Sequence, residues 1–487
     1  MRTTKGGSAG RTRTYNQWIN SSSGCPLSVP WYAAVTRPLE IVDSAVDVGV
    51  ARMEADTPLE DCDIVLWTVV GAVRPMDSME RLIPEQPTDP SAGPVSTDSR
   101  RRVGGVETWA SNRQICLDNL KVLLIAGIIA GHGLVSYAAL EVWSYADVRE
   151  VTLSPVTEGV LFSLLAPFGL FMIPLLFLVA GLLTPPSVEG KGPGTYVRDR
   201  LMRLGVPFVL FVGLIWPVLL YALYRPLGNA PGSYWAEFVG TAEESLDTGY
   251  FWFVGDLLIF SLGYAGWVRL RRGRPHRLPS GEVRIGHLLV LAAAVATATF
   301  LVRLGFPFES ERYVDLNLYE WPASIALFGL GVVASRKGWL PAVPARLQAQ
   351  SRTVSLLAVG AFGVLIAVGF ILGGVGEETW AGGWHWDALA FAAFESTLAV
   401  FGPVWMLGVA QRRLNRAFGW ASPSIGRSAY GAFMLQGLVL IGLAVVLRPL
   451  PVPGEAKALI VATGGVAGSF ALAWLLIRRV PVVARIL

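Results

Sequence analysis

The chain has 487 residues, of which 53% are hydrophobic and only 16% charged, with a net charge of +4 and a mean hydropathy of +0.50. A soluble protein carries about 25% charged residues, so this composition excludes a disordered chain, a collagen-like fibre and an ordinary water-soluble enzyme. It implies an all-α polytopic membrane protein in a lipid bilayer, with the basic excess in cytoplasmic loops rather than on a nucleic-acid surface.

Residues 1–112 are polar, rich in Gly, Ser, Thr and Pro, and lack sustained periodicity. Their longest apolar run, Ile64 to Val73, is too short to span a bilayer. Met1 to Tyr15 is basic with no apolar segment behind it, so no signal peptide is evident. The stretch reads as a mostly disordered cytoplasmic extension, with Met53, Met76 and Met79 as alternative starts. A transmembrane domain is expected over 113–480 and a short cytoplasmic tail over 481–487.

Ten spans are predicted, at 120–142, 159–184, 204–224, 250–268, 286–306, 320–335, 353–374, 388–410, 428–447 and 457–477. Each approaches the roughly 20 residues that cross about 30 Å of hydrocarbon, the sixth being the shortest. Pro167 and Pro174 predict a kink or partial break in the second. Every even-numbered span exits into a basic loop: Lys191, Arg198, Arg200 and Arg203; Arg269, Arg271, Arg272, Arg274, Arg277 and Arg284; Arg336, Lys337, Arg346 and Arg352; Arg412, Arg413, Arg416 and Arg427; Arg478, Arg479 and Arg485. The positive-inside rule then places both termini in the cytoplasm. No internal repeat of the kind found in many transporters is visible.

A charge at mid-bilayer costs roughly 2.5–3.5 kcal/mol, so polar groups inside spans need partners or a watery cavity and point to function. The first span carries Leu117-Asp118-Asn119-Leu120-Lys121, then an apolar run to Gly131-His132-Gly133. On a helix, Lys121 and His132 lie about 20° apart around the axis and about 16 Å apart along it, with Asp118 within about 40° of the same face. One stripe thus joins a cation at the cytoplasmic edge to an imidazole at mid-membrane. Such a histidine can take a proton from an attacking hydroxyl or accept an acyl group itself, and packing against a neighbouring helix is the bland alternative. At the mouth of the third span, Arg200 and Arg203 are three residues apart, so their guanidinium forks share a face and suit phosphate oxygens.

The pattern Leu117-Asp118-Asn119-Leu120-Lys121…His132, then Phe177-Leu178-Val179-Ala180-Gly181-Leu182-Leu183, then Arg200-Leu201-Met202-Arg203-Leu204, resembles the acyltransferase-3 integral membrane family, in the branch of the glucan-biosynthesis succinyltransferases. Trp252-Phe253-Val254-Gly255-Asp256, Phe328-Gly329-Leu330-Gly331 with Arg336 and Trp339, and Ser428-Ala429-Tyr430-Gly431 to Gln436 are similar to later family segments. The resemblance implies ten helices in an inner (cytoplasmic) membrane. It also implies transfer of an acetyl or succinyl group from cytoplasmic acyl-CoA to a hydroxyl of a glycan, glycolipid or other lipid-linked acceptor. His132 takes the family's catalytic position; Lys121, Arg200 and Arg203 take the donor-binding positions. Lys121 stands where the family has arginine, Tyr250 and Gln436 where many members have histidine. Asp118, Asp256, Tyr250 and Gln436 are candidate supporting residues.

His276 is expected in a solvated basic loop, His287 at an interface and His385 in an aromatic belt with Trp380, Trp384 and Trp386. Arg303 and Glu395 each call for a buried partner. Cys25, Cys62 and Cys116 form neither a disulfide framework nor a metal-ligand spacing. No Walker loop, zinc-ligand cluster or serine nucleophile elbow occurs, so acyl-CoA is expected as co-substrate with no resident cofactor or metal. A transporter or flippase for an anionic or lipid-linked sugar is the rival reading of the same helices.

Overall fold

The computed structural model describes residues 97–139, 143, 145, 148–224, 247–271, 282–308, 316–339, 342–372, 379–416 and 423–486. The polar extension up to residue 96, His276, Cys25 and Cys62 lie outside them. The chain divides into two units, Pro38–Val106 and the remainder. Of the smaller unit only a short helical piece from Thr97 falls within the described residues; the helical bundle belongs to the larger unit.

The described residues contain helices and no strands. In chain order they are α1 Thr97–Val135, α2 Pro155–Lys191, a composite α3, α4 Trp252–Leu270, α5 Ile285–Arg303, α6 Trp321–Arg336, α7 Ala345–Leu372, α8 Trp386–Arg413, α9 Pro423–Leu447 and α10 Gly454–Arg479, with a last short helix α11, Pro481–Ile486. Nine of them are long and apolar enough to cross a membrane, including the short sixth span. The seventh expected span falls on α7, 28 residues long, part of which carries side chains outside the described set.

Three boundaries differ from expectation. α1 begins at Thr97, inside the stretch expected to lack regular structure, and ends at Val135 rather than 142. α2 runs unbroken for 37 residues through Pro167, Pro174, Pro185 and Pro186. At 1.5 Å per residue it is about 55 Å long and outreaches the hydrocarbon at its basic end. There Gly192, with φ +78°, turns the chain directly into α3, a conformation that only glycine adopts without strain. α3 therefore starts at Pro193, earlier than the expected 204, and carries Arg198, Arg200 and Arg203.

α3 is Pro193–Arg200, Val206–Leu210 and Trp216–Tyr224, joined by two π-turns at Leu201–Gly205 and Phe211–Ile215. Proline explains the first. Pro207 has no N–H for the carbonyl four residues earlier, that of Arg203, and Arg203 O instead accepts from the Tyr430 hydroxyl at 2.9 Å.

In lipid there is little hydrophobic drive between helices, so small residues that let backbones approach do the packing. α2 packs along α6 and α8, α5 along α8, and α9 along α10. At the α2–α6 crossing Gly181 and Gly331 face each other: a Cβ on Gly181 would fall on the Phe328 carbonyl, and one on Gly331 on the Leu178 carbonyl. Gly133 of α1 meets the Ala462 backbone of α10 in the same way, its would-be Cβ 2.6 Å from Ala462 Cα. Buried charge is paired: Arg303 Nη2 of α5 lies 2.7 Å from Glu395 Oε2 of α8, with the guanidinium over the rings of Phe308, Tyr319 and Phe391.

Replacing Gly181 or Gly331 by Leu is expected to destabilise the bundle by about 1–3 kcal/mol, the usual cost of overpacking. Thermal unfolding in detergent should show a lower midpoint for either variant, while Gly329→Leu, whose Cβ would meet nothing, should match wild type.

Candidate active site

His132 occupies the last turn of α1. Its depth follows from its neighbours. Gln436 lies eleven residues before the end of α9 and Ala462 eight residues into α10, hence about 16 Å and 12 Å from those helix ends. The histidine thus sits deep in the bundle although its own helix stops beside it. Past the end of α1, Tyr137, Trp143 and Tyr145 are buried.

His132 Nδ1 is 3.1 Å from Gln436 Oε1. An amide oxygen can only accept, so with Gln436 Oε1 as the partner Nδ1 carries the hydrogen, and in a neutral ring Nε2 then keeps its lone pair. The Trp143 indole stacks on the imidazole, centroids 4.3 Å apart and planes 18° from parallel. Ser136 Oγ donates to the His132 carbonyl at 2.8 Å. The ring is held on one edge and one face.

Gln436 is fixed by Tyr250. The phenol donates to the Met434 carbonyl at 2.8 Å and accepts the Gly437 N–H at 3.1 Å, bracketing Gln436 on α9. Gly437 makes the insertion possible, since a Cβ there would lie 2.7 Å from Tyr250 Cε1. Tyr250 packs in turn against Trp143, Trp216, Phe211 and Phe433. Phe211, in the second π-turn of α3, stacks on Phe251 with centroids 3.7 Å apart. Trp216 donates its indole N–H to Asp247 Oδ2 at 2.9 Å, and Asp247 Oδ1 accepts the Gly249 N–H at 2.7 Å. Burial pushes the Asp247 carboxyl up, against the downward pull of these two bonds.

The connection carrying Trp143 is locked to α10. Lys457, almost fully buried, pairs with Glu150 and donates to the Arg448 carbonyl at 3.2 Å. Arg448 donates to the Val148 carbonyl at 2.9 Å, and the Tyr145 hydroxyl donates to Glu150 Oε2 at 2.9 Å. Burial alone would raise the Glu150 carboxyl, but hydrogen bonds from Lys457 and Tyr145 outweigh it and hold it below its ordinary range.

The basic residues gather at the other end of the bundle, around the start of α9. Lys121 Nζ is 3.1 Å from Asp118 Oδ1, an exposed pair. A Cβ on Gly426 would lie 3.4 Å from Asp118 Cβ. One turn along α9, Tyr430 binds the Arg203 carbonyl. Arg200 lies over the Tyr196 ring at 5.0 Å. Asn119 ties the same end of α1 to the Leu414 and Arg416 carbonyls at 2.8 Å and 3.0 Å. The sequence stripe therefore resolves into two places: Asp118 and Lys121 pair with each other near Arg203, while His132 meets Tyr250 and Gln436.

Asp256 belongs to neither. It is fully buried in α4 and accepts the Trp321 indole N–H at 3.0 Å, joining α4 to α6. His287 Nδ1 caps α5 by accepting the Arg284 N–H at 3.0 Å. His385, Trp384 and Trp386 are exposed at the start of α8, as a belt requires, whereas Trp380 is buried. Among the described residues no group of His, Cys, Asp and Glu could hold a metal. Trp143, Trp216, Asp247, Gly437 and the Glu150–Lys457 pair were not legible as site residues. Trp143 falls just past the end of the expected first span at 142, and the others carry no motif.

Together these features describe a helical membrane protein with a histidine held in an aromatic and amide enclosure. The chain belongs to the acyltransferase-3 family: a family model described as an acyltransferase domain matches residues 114–478, nearly the whole bundle, which makes it a membrane acyltransferase. No curated protein and no solved structure matches it.

Tyr250→Phe would leave the Met434 carbonyl and Gly437 N–H without their partner, and a loss of about 1–3 kcal/mol is expected in thermal unfolding. The Glu150 carboxyl is held low, so its pairing stabilises fully at neutral pH and fades as pH falls through that lowered range. The difference in melting temperature between wild type and Glu150→Gln should be constant near neutrality and vanish in acid.

Proposed function

We propose that the protein transfers an acyl group, acetyl or succinyl, from cytoplasmic acyl-CoA to a hydroxyl of a glycan, glycolipid or lipid-linked acceptor, in the cytoplasmic membrane. The hydrogen bond between His132 Nδ1 and Gln436 Oε1 carries this reading, because it leaves Nε2 as the base. Nε2 takes the hydroxyl proton as the oxygen attacks the thioester carbon. The new C–O bond forms, the C–S bond breaks with its electron pair on sulfur, and His132 returns the proton to the thiolate. Proton and electron pair balance with no further reactant.

Lys121, Arg200 and Arg203 would hold the donor's phosphates at the basic end. The about 16 Å from Lys121 to His132 along α1 suits an extended arm with phosphate at one end and thioester at the other. The Asp118–Lys121 pair is exposed and of the kind worth about 0–1 kcal/mol, so phosphate can take Asp118's place at little cost. The family match weighs against transport as the main activity.

Purified protein in nanodiscs should release free CoA from acetyl- or succinyl-CoA when offered a panel of sugar acceptors. His132→Ala should lower that rate by about 10²–10⁴-fold, the range supplied by a positioned general base. Binding of neither acyl-CoA by wild-type protein would remove the donor assignment.

A further inference from the structure

Two N–H donors beside His132 have no partner among the described residues. Gln436 spends Oε1 on His132, but its Nε2 is buried without an acceptor. The Trp143 indole Nε1–H, on the ring stacked against the same imidazole, is likewise buried without one. Gln436 is 0% and Trp143 7% exposed. A buried unpaired donor costs about 1–3 kcal/mol, and folded proteins keep few of them. Here both are held firmly: Gln436 by the Tyr250 bracket on Met434 and Gly437, Trp143 by a connection locked through Glu150 and Lys457. The amide meets the imidazole at its Nδ1 edge and the indole covers its face, so both donor-bearing side chains lie against the His132 ring.

We propose that the Gln436 Nε2–H and the Trp143 Nε1–H form an oxyanion cradle for the acyl thioester. This rests on the acyl-transfer reading and deepens it. When the acceptor oxygen attacks and His132 Nε2 takes its proton, the carbonyl π pair moves onto the carbonyl oxygen. The two N–H groups donate to that oxygen. On collapse the pair returns, the C–S bond breaks, and the sulfur leaves with its electrons and receives the proton from His132. Pre-placed donors are worth most where charge develops in a site with little water, and among the described residues neither group has another acceptor to give up first. Gln436 then does two things with one amide: its oxygen sets the histidine tautomer and its nitrogen stabilises the intermediate.

Two variants separate these roles. Trp143→Phe keeps a ring on the imidazole and removes the N–H. Gln436→Glu keeps an oxygen for His132 and removes the amide donors. Both are expected to lower kcat on the order of 10²-fold, as loss of an oxyanion donor does, with KM for acyl-CoA nearly unchanged. Infrared difference spectra of bound acetyl-CoA labelled with ¹³C at the carbonyl should show the C=O band at lower frequency in wild type than in either variant. This readout needs only binding, so it stands if no acceptor in the panel is productive. Wild-type kcat and an unmoved band in either variant would overturn the cradle, as would a loss carried by KM alone. Wild-type protein that neither binds nor turns over acyl-CoA overturns the functional reading itself, a result distinct from variants that behave like an active wild type.

Discussion

The hydrogen bond between His132 and Gln436 is what the rest of the site is arranged to keep. In a medium with little water, an imidazole without a partner is costly and its tautomer is undetermined. Gln436 resolves both with one acceptor. The amide stays in place because the Tyr250 hydroxyl is wedged into α9 on either side of it, which requires glycine at 437. A tyrosine and a glutamine thus orient the imidazole, where a carboxylate or a second histidine would bring a charge beside it.

α3 shows how local backbone chemistry serves the same end. Proline at 207 withholds a helix donor, a π-turn accommodates the irregularity, and the released Arg203 carbonyl is taken up by Tyr430 of α9. The second π-turn carries Phe211 against Phe251 and Tyr250. π-turns in long helices often mark functional positions, and here one carries Arg203 and the other carries Phe211 of the histidine enclosure.

Charge is handled by pairing. Arg303 with Glu395 ties α5 to α8, and Lys457 with Glu150 ties α10 to the connection after α1. Removing one partner of a buried pair is far more damaging than the pair's net worth. Neither pair is among the described contacts of the His132 ring, which are Gln436, Trp143 and Tyr250.

The sequence by itself determined the class, the helices and their order, because hydropathy over about 20 residues directly reflects the thickness of the bilayer. It also marked His132, since a histidine between glycines inside an apolar run needs a reason to be there. It pointed to Gln436 and Tyr250 through their places in family segments, and to a partner for Arg303. It carried α1 past its true end at Val135, because apolar residues buried in a folded connection look the same as apolar residues facing lipid, and it began the third span at 204 where the helix starts at Pro193. Only the tertiary structure decided that Lys121 pairs with Asp118, that Asp256 serves α6 rather than the histidine, and that Trp143 closes over the imidazole. Each of those depends on which helix stands next to which, and contacts between residues 304 positions apart, such as His132 with Gln436, leave no periodic trace along the chain.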